Sequence, residues 1–130
     1  MFDFTGDATE IGFVEGTTEA EDDPRLALEP ASLTIHKQRY SCFVGTGLDD
    51  ALRARRRYHR GHRIYDNFCC ETTARHGHDL DYFVEFPMDA TGCPDLSETA
   101  TQAAIKNIAA ASLGAGYARV MTTAELLARM

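Results

Sequence analysis

The sequence predicts an α+β fold: an antiparallel β-meander with an N-terminal hairpin, and two C-terminal helices packed on one sheet face. Three observations predict it. Leu80, Tyr82, Val84, Phe86 and Met88 fall on one parity and Asp81, Phe83, Glu85 and Pro87 on the other, which is the period of a strand with one apolar face. Past Gly92-Cys93-Pro94 the period changes, and Ala100, Ala104, Ile105, Ile108, Ala109 and Ala111 form a helical apolar stripe. The strand-like segments all precede the helical ones, and runs of strands followed by helices define α+β.

Taken in order, residues 1–17 read as a hairpin. Phe2 and Phe4 alternate with polar neighbours, Gly6-Asp7 is a turn signal, and Ile11, Phe13 and Val14 follow. Thr17 to Pro24 is a solvated acidic loop, and Leu26-Ala27-Leu28 is a short strand. From Ser32 to Val44, Leu33, Ile35 and Phe43 share one parity while Thr34, His36, Gln38, Tyr40 and Cys42 share the other; Gly45-Thr46-Gly47 ends this strand. The next stretch suits a short helix begun by Asp49 and Asp50, a basic loop, or the start of a strand. His62 to Thr73 alternates again, with Arg63, Tyr65, Asn67 and Cys69 on one side and Ile64, Phe68 and Cys70 on the other. A polar loop at 74–79 joins it to the strand at Leu80 as a hairpin. Asp95 to Glu98 is a capping-box signal for the first helix, which Gly114 and Gly116 end, and Thr122 to Glu125 is a second box for a short terminal helix. The expected organisation is one domain over 1–130: hairpin 1–17, sheet 32–88, helices 95–129.

The chain carries a net charge of −7. Residues 1–29 hold nine acids and one base, so the remainder is slightly basic, and Arg53, Arg55, Arg56, Arg57, Arg60 and Arg63 crowd one segment. No apolar run approaches a membrane span, the acidic N-terminus is unlike a signal peptide, and a cytoplasmic origin is expected. The four cysteines, Cys42, Cys69, Cys70 and Cys93, fit reduced thiols at least as well as a disulfide framework.

Three chemistries compete. His59, His62, His76, His78, Cys69 and Cys70 lie close in sequence, but adjacent cysteines and an alternating His pair suit one zinc tetrahedron poorly; no metal and no cofactor are expected. Nucleophilic catalysis lacks a nucleophile elbow or a phosphate-cradling loop, so no catalytic residue is assigned. Nucleic-acid binding is favoured by the arginine cluster beside a polar sheet face rich in donors and rings, which can neutralise phosphates and stack on unpaired bases.

The segments SLTIHKQRYSCFV, RIYDNFCCETT, YFVEFPMDATG and the alanine-rich helix resemble the coat proteins of small single-stranded RNA bacteriophages. That resemblance implies an intertwined dimer in which each subunit's helices cover the partner's sheet, assembly into an icosahedral shell, and a virion location. It implies a non-enzymatic structural protein whose partners are itself and single-stranded RNA, with no membrane. The inner face would carry Thr34, His36, Gln38, Tyr40, Arg63, Tyr65 and Asn67 as RNA contacts. The alternative is a small α+β binding or regulatory module using the His/Cys set.

Overall fold

A computed structural model describes residues 2–4, 18, 35–55 and 66–129. Its elements are β1 (Phe2–Phe4), β2 (Ile35–Lys37), α1 (Leu48–Arg55), a π-helical turn (Asp66–Cys70), α2 (Glu71–Asp79), β3 (Glu85–Pro87), a 3-10 turn (Met88–Ala90), α3 (Gln102–Gly114), β4 (Arg119–Met121) and α4 (Thr123–Leu127).

Both strand pairs are parallel. Phe2 lies opposite Ile35 and Phe4 opposite Lys37, while Phe86 lies opposite Val120. This overturns the antiparallel meander; residues 5–17 of the expected N-terminal hairpin lie outside the described ones. Parallel neighbours need a crossover, and α3 is the crossover from β3 to β4. The alternation at 80–88 misled because a period of two reports which residues face inward and not which strand lies alongside. Its first residues are no strand at all. Leu80 and Asp81 finish α2, with Asp81 at φ 68°, and the Tyr82 N–H donates to the Gly77 carbonyl at 2.9 Å.

The segment at 62–73 fails differently. From Asp66 onward it is helical, and the supposed loop 74–79 continues the helix. Cys and β-branched Thr favour strands weakly, and packing overrides them. Ala74 and Gly77 are buried, and a Cβ at Gly77 would stand 3.3 Å from Phe43 Cε2, so α2 meets its neighbours through its smallest residues. Glu71 and Arg75, one turn apart, pair along its flank, and Arg75 Nη2 reaches Ser112 Oγ of α3 at 2.6 Å. Of the three readings for the stretch after Gly47, the short helix is the one found, as α1.

Leu113 of α3 is fully buried with Ala74 and Phe86, and Val84, Met88, Tyr117 and Val120 close around them. The alanine-rich helix therefore covers the sheet of its own chain, which removes the physical basis for the intertwined dimer. A second cluster joins Cys42, Leu48 and Leu52 with Ile35, Phe43 and Tyr82. The first helix begins later than its sequence signal: Thr101 caps α3 by accepting from the Ala104 N–H at 3.3 Å, and Asp95 accepts from the Gln102 N–H at 2.6 Å.

The box at Thr122 and Glu125 is present as expected, and it opens α4. Asp89 reinforces it, accepting from the Thr123 N–H at 2.6 Å and the Thr123 hydroxyl at 2.9 Å. These bonds favour the ionised forms. The Thr123 N–H holds the Asp89 carboxyl below its usual range, and the Thr122 N–H does the same for Glu125. A carboxyl depressed by folding contributes stability above its unfolded value, about 4, and that contribution is lost as pH falls through the folded value. Asp89→Asn is accordingly expected to lower the melting temperature at pH 7, with the deficit shrinking as melts are repeated toward pH 3. An offset constant over that range would contradict the assignment.

Candidate active site

Lys37 is the last residue of β2 and only 2 % exposed. Burying an ammonium is costly unless acceptors surround it. The chain supplies them by bending sharply after β2, so that its next carbonyls fold back onto the amine. Lys37 Nζ donates to the Arg39 carbonyl at 2.8 Å and to the Tyr40 carbonyl at 3.1 Å. Its third contact crosses to another element: Nζ stands 3.3 Å from Cys69 Sγ.

Cys69 sits in the π-helical turn that runs directly into α2. Sulfur and buried amine thus meet where the π-helical turn passes into α2. A thiolate is the reactive form of cysteine. The arrangement unites a nucleophile and a group able to carry a proton. Beside it the Tyr40 ring stacks on Phe68, the residue preceding Cys69, with centroids 5.4 Å apart.

Neighbouring polar contacts brace this region. The Tyr82 hydroxyl donates to Asp49 at the start of α1, and Arg53 adds Nε–Oδ contacts of 2.9 and 3.0 Å. Tyr82 first and Arg53 second hold the Asp49 carboxyl below its usual range, while burial pushes the Tyr82 hydroxyl up.

Of the residues expected to contact RNA, the described ones fall in separate elements. His36 lies in β2, Gln38 and Tyr40 lie in the bend around the Lys37 amine, and Asn67 falls in the π-helical turn. Thr34, Arg63 and Tyr65 lie outside the described residues, as do Arg56, Arg57 and Arg60. Of the His/Cys set, His59 and His62 lie outside the described residues. His76 Nδ1 is 2.8 Å from Ser41 Oγ, whereas His78 meets the edge of the Tyr117 ring. Among the described residues no group of three His, Cys, Asp or Glu is placed to hold a metal ion, and none of the four cysteines is in a disulfide.

The sequence reading missed both members of the pair. Lys37 sits on the apolar parity of its strand, between Ile35 and Phe43, and a lysine at an inward position was the available signal. Cys69 was read as a packed strand thiol because its segment was not read as a helix.

Fold and site together define an α/β protein in which a buried lysine meets a half-buried cysteine of a helical turn. Residues 2–125 match the isochorismatase domain model, and the chain belongs to the isochorismatase family. A ureidoacrylate amidohydrolase from Caulobacter vibrioides is 42 % identical over 74 residues, 56 % of this chain and 32 % of that enzyme. Its counterpart from Stutzerimonas stutzeri is 42 % identical over 89 residues, 64 % of this chain and 34 % of that enzyme. The chain thus spans about a third of the curated relatives it matches. A structure from Burkholderia xenovorans, described as a candidate isochorismatase, superposes with a TM-score of 0.88 at 26 % identity, covering 98 % of this chain and 63 % of that one. A cysteine hydrolase from Pseudomonas syringae gives 0.74 at 28 % identity, covering 90 % and 57 %.

These findings replace the coat-protein resemblance and everything drawn from it: the capsid role, RNA as partner, shell assembly, the virion location and the absence of enzymatic function. The regulatory alternative falls with them. Among the described residues no helix is long and apolar enough to cross a membrane.

Proposed function

We propose that Cys69 and Lys37 are the reacting pair of a cysteine-dependent hydrolase that cleaves an amide or ureido C–N bond. The observation carrying this reading is the 3.3 Å contact between a buried amine and a cysteine sulfur. Its chemistry is support drawn from the relatives, which are named as amidohydrolases and as a cysteine hydrolase.

In the proposed reaction the Cys69 thiolate attacks the substrate carbonyl, a C–S bond forms, and the carbonyl electron pair moves onto oxygen. Backbone N–H groups of the turn bearing Cys69 stabilise that oxyanion. Collapse breaks the C–N bond, and the leaving nitrogen takes a proton from Lys37 Nζ. Water then attacks the thioester, its proton returns to Lys37, and the Cys69 thiolate departs as the carboxylic or carbamic acid forms. The ammonium is used twice, as acid and then, once neutral, as base.

The test is incubation with a panel of N-carbamoyl and ureido acids, following amine or ammonia release and quenching in acid for peptide mass spectrometry. Product together with an acyl adduct on Cys69 is the expected result. Neither product nor adduct with any panel member would remove the proposal.

A further inference from the structure

Cys69, Thr73 and His76 follow a four-then-three spacing, so they share one face of the continuous π/α2 helical stretch. All three reach the same short segment after Lys37. Cys69 Sγ meets the Lys37 amine at 3.3 Å. Thr73 Oγ1 accepts from the Cys42 N–H at 3.0 Å and lies 3.5 Å from the Tyr40 carbonyl, the oxygen that also receives Lys37 Nζ. His76 Nδ1 is 2.8 Å from Ser41 Oγ, and that hydroxyl accepts from the Phe43 N–H at 3.2 Å. Ser41 and Cys42 are both buried, so these bonds are made where few water molecules compete.

We infer that Thr73 and His76 are positioning residues that set the spacing between Lys37 and Cys69. Lys37 takes its place from the carbonyls of Arg39 and Tyr40, and those carbonyls take theirs from the backbone at 40–43. Thr73 and His76 pin that backbone to the helix bearing the sulfur. Removing either bond lets the carbonyls drift, and the amine drifts with them. This inference rests on the cysteine–lysine reading above and adds the device that maintains it. Neither residue touches the reacting atoms.

The test reads the rate at which iodoacetamide alkylates Cys69 in the intact protein, because thiolate content and access set that rate. Fragment ions separate Cys69 from Cys70. Thr73→Val keeps the shape and removes the hydroxyl; Thr73→Ser keeps the hydroxyl; His76→Leu removes the second bond independently and serves should Thr73→Val fail to fold. Lys37→Met is the control for the pair itself. The expected result is a roughly tenfold or larger fall for Lys37→Met, a fall of at least threefold for Thr73→Val and His76→Leu, and a rate near the parent's for Thr73→Ser. A fall for Lys37→Met with unchanged rates for Thr73→Val and His76→Leu overturns the positioning role and leaves the pair standing. An unchanged rate for Lys37→Met overturns the pair and this inference together. A Thr73→Ser rate as low as that of Thr73→Val also overturns it, since the bond and not the side-chain shape is what it invokes.

Discussion

Cys69→Ser protein is expected to fold normally and to lose turnover of any substrate found for the parent by about a thousandfold or more, as removal of a nucleophile acting within a catalytic unit does. Serine is close to cysteine in size and retains a group that can accept from Lys37 Nζ, so the buried amine keeps its third contact. The hydroxyl is a far weaker nucleophile than a thiolate at neutral pH, because no lysine contact makes up the difference between an alcohol and a thiol. Parallel melts and single-turnover assays would check both halves. Activity within tenfold of the parent, in protein with an unchanged melting temperature, would mean that Cys69 does not form the covalent bond.

The largest expected effect on stability belongs to Leu113→Ala. Leu113 is 0 % exposed and packs against Ala74 and Phe86 beneath the β3–β4 pair. Truncating a buried leucine loses its transfer free energy and leaves a cavity, together about 3–5 kcal/mol. Against a typical total of about 5–15 kcal/mol that is a large fraction. The site cannot collapse easily, because Leu113 is held by helix α3 and its carbonyl accepts the N–H groups of Tyr117 at 2.8 Å and Ala118 at 2.9 Å at the helix end. Urea unfolding followed by far-UV circular dichroism would measure the difference. A loss below about 1 kcal/mol would show that this cluster is not the centre of the core.

The sequence was legible where a local signal had one structural meaning. Thr122 and Glu125 specify a helix start through bonds between near neighbours, and α4 begins there. The stripe from Ala104 to Ala111 likewise has one reading, and α3 contains it. It was not legible where the deciding partner was remote. Glu85 to Pro87 reads as a strand in any sheet; only Arg119 to Met121, across the whole of α3, makes it parallel. Asp66 to Asp79 became helical because Ala74 and Gly77 let it approach Phe43 and Val84, a fact about space and not about propensity. The candidate site lay in the same blind spot. Lys37 and Cys69 are 32 positions apart, and each looks ordinary until the other is placed beside it. The coat-protein resemblance followed from this. It matched a succession of strands and helices, and succession carries no information on pairing direction.

The carbonyl bonds that retain the Lys37 amine also fasten the bend at 38–41. Shape and reactivity there are a single thermodynamic element. Any partial opening that frees the bend withdraws the amine from the sulfur. On the reading proposed for Cys69 and Lys37, loss of activity on warming follows the free energy of that local opening, so active lifetime and melting temperature become separately adjustable properties.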